Sequence, residues 1–225
     1  MDYAGTLYIV STPIGNLKDI TLRALETLKN VDLIAAEDTR HTKILLDHYD
    51  IRKPLTSYFE HNKVTKGDYL IRQLQGGKHI ALVSDAGTPG ISDPGAHIIR
   101  LALEHNIKLD HMPGPTAVIA GLVLSGEPTD RFVFEGFLPS KPGARKNRLK
   151  GLMNERRTVV IYESPHRLLK TLADIREVLG DITIACAREL TKKFEEVRRQ
   201  RASELIEHFS ATKPLGEFVL CWNLR

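Results

Sequence analysis

Short apolar runs alternate along the whole chain with segments whose apolar residues recur at helical spacing. Thr6-Leu7-Tyr8-Ile9-Val10 reads as a first strand. Asp19 to Lys29 reads as a helix with Ile20, Ala24, Leu25 and Leu28 on one face and Asp19 placed to cap it. The pattern then predicts a strand at Leu33 to Ala36, a helix from Thr42 to Tyr49, a strand within Pro54 to Phe59, and a helix from Lys63 to Gln75 that stops at Gly76-Gly77. A strand at His79 to Val83, a helix from Ala96 to His105, a strand at Lys108 to His111 and a helix running to Leu124 follow. This βα alternation predicts a mainly parallel sheet with helices on both faces. A composition break at Gly126-Glu127-Pro128-Thr129-Asp130 divides the chain into expected α/β domains 1–126 and 127–225. The second holds strands at Phe132 to Phe134, at Thr158 to Tyr162 and around Cys186 and Cys221, a helix from Arg167 to Leu179, and a charged helical or hairpin region between the two cysteines.

Three predicted strands of the first domain run into turn-rich loops: Ser11 to Leu17, Ser84 to Gly95, and Pro113 to Ala117. If the strands are parallel, all three loops lie at one sheet edge, where open α/β sheets bind ligands. The Ser84 to Gly95 loop is the most informative. Twelve residues are far more than a connection needs; three glycines allow close approach to the backbone and two prolines fix φ. None of the loops matches a dinucleotide GxGxxG or a GxxxxGK[ST] P-loop, and none contains Lys or Arg. That argues against a phosphate-rich ligand and fits a sulfonium nucleoside held by backbone groups and Asp85.

Composition adds a soluble globular class: 225 residues, 42% apolar and 27% charged, with apolar runs too short to span a bilayer. The N-terminus carries Asp2 and no basic region, so it does not read as a signal peptide. Cys186 and Cys221 sit in separate strand-like runs without metal-ligand spacing and read as buried, reduced thiols of a cytoplasmic protein. The net charge of +4 is mild, but the basic residues cluster. Lys141 to Arg157 holds seven Lys or Arg against Glu155 alone, and a second group spans Lys192 to Arg201. Such clusters suit a polyanion, or a solvated helix face.

Ser-Thr-Pro-Ile-Gly-Asn-Leu, Ala-Ala-Glu-Asp-Thr-Arg, Ser-Asp-Ala-Gly-Thr-Pro-Gly-Ile-Ser-Asp-Pro-Gly, Pro-Gly-Pro, Phe-Glu-Gly-Phe-Leu-Pro and Tyr-Glu-Ser-Pro-His-Arg occur in that order. This set resembles the bacterial small-subunit ribosomal RNA cytidine 2′-O-methyltransferases, a branch of the tetrapyrrole-methylase-like superfamily of class III methyltransferases. The resemblance covers nearly the whole chain. It implies two α/β domains with S-adenosylmethionine bent into the cleft between them, a homodimer, and methyl transfer to a cytidine ribose 2′-hydroxyl of the small subunit (30S) without a metal. Family members often carry a further C-terminal stretch, and Thr116 stands where a small residue is usual. A sister enzyme acting on a tetrapyrrole or a protein side chain, or a non-catalytic RNA-binding module on the same fold, are the rival readings.

On this resemblance, Pro13, Ile14, Asp85, Ala86, Thr88, Thr116, Ala117 and Tyr162 line the cofactor. The Asp85 carboxylate faces its cationic groups or caps a turn. Asp38 and Arg40, beside Glu37 at the end of the second strand, are expected in the active cleft, or as a local ion pair. Glu163 is the candidate to accept the hydroxyl proton, or belongs to the start of the following helix. Arg145, Lys146 and Arg148, with Arg167, are the candidate RNA contacts. His61 and Phe137 are secondary candidates for RNA or the cleft.

Overall fold

A computed structural model describes residues 4–225. Asp2, on which the reading of the N-terminus rests, lies outside the described residues. The chain divides into two compact units, one ending at Thr116 and the other spanning Ala117–Arg225.

The first unit runs β1 (Thr6–Val10), α1 (Leu22–Asn30), β2 (Leu33–Ala36), α2 (Thr39–His48), β3 (Leu55–Ser57), α3 (Lys63–Gln75), β4 (Ile80–Val83), α4 (Gly95–Glu104) and β5 (Lys108–Met112). Its sheet has the order β3-β2-β4-β1-β5 and every pairing is parallel. Strand alternation sends Val10, Ile34, Ala36, Ala81 and Val83 to one face, against Ala24 and Leu28 of α1 and Leu45 and Leu46 of α2. Leu7, Leu33, Ala35, Ile80 and Leu82 go to the other, against Leu70 and Leu74 of α3 and Ile98 of α4. With both faces covered, β2 and β4 are buried throughout, which is why they read as unbroken apolar runs. The predicted cap is corrected. Asp19 falls in a single 3-10 turn, and Thr21 caps α1, its side chain accepting from the Ala24 N–H at 3.1 Å.

The second unit runs α5 (Ala117–Ser125), β6 (Phe132–Phe137), α6 (Pro142–Gly151), β7 (Thr158–Glu163), α7 (Leu168–Leu179), β8 (Thr183–Arg188), β9 (Glu196–Arg201), α8 (Ala202–Ala211) and β10 (Phe218–Trp222). The sheet order is β6-β7-β10-β8-β9, with β6 and β7 parallel and the remaining pairs antiparallel. Trp222, Phe218, Ile161 and Ile184 pack there against Leu149 of α6, Leu172 and Ile175 of α7 and Phe209 of α8. The other face takes α5, so closely that a Cβ on Gly121 would stand 2.5 Å from Val219 Cγ1. This packing places α5 in the second unit, ahead of the boundary expected after residue 126. The charged region between the cysteines contains both expected alternatives, the β8–β9 hairpin and then helix α8. Both cysteines are free and buried; burial pushes the Cys221 thiol up to about 12 and Cys186 further still. Among the described residues no helix is long and apolar enough to cross a membrane.

Candidate functional site

Because β1, β4 and β5 are parallel, the loops that follow them share one sheet edge, and they are stitched together. Thr12 and Gly87 exchange two backbone hydrogen bonds, at 2.9 and 3.0 Å. The Thr12 hydroxyl donates to the Ser84 carbonyl at 3.2 Å. The Thr88 hydroxyl donates to the Pro115 carbonyl at 3.2 Å and lies 2.9 Å from the Ser11 hydroxyl, so one side chain binds all three loops. Gly87 has φ +83°, which a side chain would strain, and its absent Cβ would stand 3.4 Å from Ile14 Cγ2 and 3.6 Å from the Pro115 carbonyl. Gly114 allows a still closer approach: a Cβ there would meet Ser11 Cβ at 2.9 Å. Of the predicted lining, Pro13 and Ile14 are buried within this wall, Thr88 and Thr116 are half-buried and Ala86 is exposed. Ala117 begins α5 in the second unit.

The acids at this edge are ordered by backbone groups. Asp85 Oδ1 accepts from the Asp38 N–H at 2.9 Å, and the Asp85 N–H donates to Glu37 Oε2 at 3.3 Å, tying the loops after β2 and β4. Asp85 therefore caps the neighbouring loop and not a turn of its own. Its Oδ2 makes no hydrogen bond among the described residues. Asp93 closes the far end of its loop by accepting from the Gly90 and Gly95 N–H groups at 2.9 and 2.7 Å. Burial, and the charges of Asp85 and Asp93, raise the Glu37 carboxyl above its usual range against the lowering by the Asp85 N–H. The edge thus carries a negative field and no basic side chain from its three loops, the donor set that a cationic ligand requires.

Asp38 is the N-cap of α2 and accepts from the Arg40 N–H at 2.8 Å and from its guanidinium at 2.6 Å. These bonds hold the Asp38 carboxyl well below the usual carboxylate range. The pair sits at the expected strand end, with the Arg40 side chain 90% exposed.

Tyr162 lies one residue before the end of β7, with its hydroxyl accepting from the Val118 N–H at 2.9 Å and its ring edge-on to Phe134 and Phe137, at 4.8 and 5.7 Å. Glu163 is corrected as a proton acceptor. Its side chain is fully buried; Oε2 accepts from the Thr171 hydroxyl at 2.5 Å, and Oε1 accepts from the Ser164 N–H at 2.8 Å and lies 3.3 Å from Arg167. With both oxygens engaged, it braces the turn from β7 into α7. Arg167 completes this brace by donating to the Leu138 carbonyl at 2.5 Å, which corrects it as a free RNA contact. His61 is exposed on the turn before α3.

The basic segment folds as α6, and most of its charge is already matched. Arg145 is corrected outright: it is 3% exposed, donates to Asp174 at 2.7 Å and to the Ser140 carbonyl at 3.1 Å, and joins α6 to α7. Lys146 pairs with Glu177 at 2.7 Å and Arg148 holds Glu135 in a two-bond fork at 2.6 and 2.5 Å. The partners Asp174, Glu177 and Glu135 were missed because they stand 13 to 31 residues away, beyond any helical spacing. Ser11, Thr12 and Asp93 were seen only as turn residues; their bonds join segments that only the sheet brings together.

Comparison with known proteins supplies the family. Residues 6–206 match the family model Tetrapyrrole (Corrin/Porphyrin) Methylases. The chain is 52% identical over 217 residues to the ribosomal RNA small subunit methyltransferase I of Synechocystis, covering 96% of this chain and 78% of that protein. It is 49% identical to the protein of that name from Thermotoga maritima, covering 96% and 97% of the two chains. Among solved structures, a diphthine synthase aligns with a TM-score of 0.74 at 17% identity, over 96% of this chain and 89% of that one. The uroporphyrin-III-C-methyltransferase of Thermus thermophilus aligns at 0.69 and 19%, over 96% and 94%; these likenesses speak for the fold. The chain belongs to the tetrapyrrole (corrin/porphyrin) methylase family, within its ribosomal RNA small subunit methyltransferase I branch.

Proposed function

We propose that the protein is an S-adenosylmethionine-dependent methyltransferase that modifies a cytidine ribose 2′-hydroxyl of small-subunit ribosomal RNA, acting in the cytoplasm as a homodimer. The observation that carries the cofactor is the stitched loop edge, with an oriented Asp85 carboxylate and no Lys or Arg in its three loops. When bound, the cofactor supplies an electrophilic methyl group on a sulfonium centre. Asp85 Oδ2 would take its cationic side, and the backbone of Pro13, Ile14, Ala86, Thr88 and Thr116 would fix its orientation, a large contribution to methyl transfer. Arg40, held by Asp38 and open to solvent, offsets the negative charge that grows on the attacking oxygen. Glu163 has no part in proton removal; solvent takes the proton. Identity near 50% with proteins named for the small subunit over nearly the whole chain supports the RNA acceptor.

The test is incubation of the full chain with methyl-labelled S-adenosylmethionine and small subunits lacking the modification. Label recovered as 2′-O-methylcytidine is the expected result. Cofactor binding without RNA labelling, on subunits, naked RNA or assembly intermediates, overturns the acceptor.

A further inference from the structure

The strongest unassigned feature lies at the opposite edge of the second sheet from Tyr162. Arg131 immediately precedes β6, Arg156 and Arg157 immediately precede β7, and Arg225 follows β10. Since β6 and β7 are parallel and β10 runs against them, these ends come together. They line a cavity of about 330 Å³ whose only other lining residue is Glu155.

The charge in this cavity is only partly matched: Arg157 pairs with Glu155 and Arg225 feels Glu127, while Arg131 and Arg156 carry the excess. Both Glu155 oxygens are taken by Arg157, at 2.9 and 2.7 Å, which holds that carboxyl down at about 2. The Arg156 guanidinium has no hydrogen bond or ion pair among the described residues. Arg131 approaches an acid only at Asp130, 3.8 Å away with both side chains exposed, a contact that contributes little. The backbones beneath are nonetheless fixed: the Thr158 N–H donates to the Arg131 carbonyl at 3.3 Å, and Asn223 donates to the Arg156 carbonyl at 3.3 Å while accepting from the Arg225 N–H at 3.0 Å. Like charges gathered on an ordered frame repel one another until an anion enters, and arginine forks match phosphate oxygens.

We infer that this arginine cavity binds a backbone phosphate of the RNA substrate, as an anchor at the end of the second sheet opposite Tyr162. The RNA as ligand rests on the function proposed above. Five residue steps along β7 separate Thr158 from Glu163, about 17 Å at strand rise. A folded RNA presents phosphates over such a span, and phosphate contacts fix the position of a substrate without reading its bases. It also accounts for a basic segment whose predicted contacts are consumed internally: the free positive charge lies just past α6, at Arg156.

The experiment uses the full chain carrying Arg131→Gln and Arg156→Gln together, with melting temperature and cofactor affinity checked against the parent. Methyl transfer to undermodified small subunits is followed across substrate and salt, and binding of a labelled small-subunit RNA fragment is read by fluorescence anisotropy. The expected result is a KM raised about tenfold at unchanged kcat, with the log–log salt slope of RNA binding shallower by about 2. Arg131→Lys with Arg156→Lys should recover most of the affinity, as point charges remain. An unchanged KM and slope overturn the inference, as does a fall matched by neutralising Lys29 and Lys43 in the first unit. If the parent transfers no methyl group to RNA but the variant still loses RNA affinity, the acceptor reading falls and the anchor stands. If the parent methylates and the variant equals it, the reverse holds. If inorganic phosphate raises the melting temperature of the parent alone while RNA affinity is equal in both, the cavity serves a free anion and the RNA assignment falls.

Discussion

The Ser84 to Gly95 loop and the Lys141 to Arg157 segment stand out equally in the sequence, one for glycine and proline, the other for positive charge, and folding treats them differently. In the loop, local chemistry is the final chemistry: Gly87 takes its left-handed φ, Asp93 closes the turn, and one Asp85 oxygen is left open. In the basic segment, three of the charges that drew attention are matched by acids from elsewhere, one in the interior. Backbone-shaping residues act through neighbours in sequence. A long charged side chain acts through whatever the fold brings within reach, so its role is decided by tertiary structure.

The contrast is broken most forcefully at Arg145. Replacing it with Ala leaves the buried Asp174 with only Lys146, 3.7 Å away, and should cost about 3 kcal/mol in denaturant unfolding. RNA affinity per folded molecule should be unchanged; a stable variant with weakened RNA binding would restore Arg145 to the surface role. Next comes Asp85→Ala, which removes both the tie to the Asp38 N–H and the carboxylate offered to a cation. Calorimetry should show S-adenosylmethionine affinity lower by about 100-fold, equivalent to about 2.7 kcal/mol. Asp85→Asn, which keeps the tie, separates the two contributions. A smaller effect is expected from Glu37→Gln. A raised folded pKa means that the stabilisation from a protonated Glu37 is present below the ordinary carboxylate pKa and is lost as pH rises through the raised value. Melting temperatures should therefore shift in favour of the Gln variant as pH rises above the ordinary carboxylate range; a gap that does not move with pH would deny the negative field at this edge. The smallest change belongs to Arg148→Ala. Arg148 is half exposed while Glu135 is 10% exposed, and stability should fall by about 1 kcal/mol.

The first sheet was legible almost strand by strand, because parallel strands buried on both faces leave unbroken apolar runs that turns punctuate. The loop edge was legible for the same reason: it needs only parallel strands and glycine at known places. Helix α6 was not, since Pro142, Gly143 and four basic residues hide the single buried stripe of Leu149 and Arg145. Nor was the place of β10, last in sequence yet inserted between β7 and β8. The Tyr-Glu-Ser-Pro-His-Arg motif marked a real strand end, but sequence did not say that Glu163 turns inward. An acid at a strand end looks alike whether Thr171 and Ser164 enclose it or solvent does.

The paired hydrogen bonds between Thr12 and Gly87 also bear on time. Both amides belong to loops, which ordinarily trade hydrogen for deuterium within the fastest fraction of a protein, yet each is locked as in a ladder. In native-state exchange they should persist alongside the amides of β1 and β4, well after those of the exposed turn at His61. A molecule arriving at loops already this still loses little disorder on docking. Its residence should then be governed by how readily the rim lets go rather than by how slowly the wall assembles.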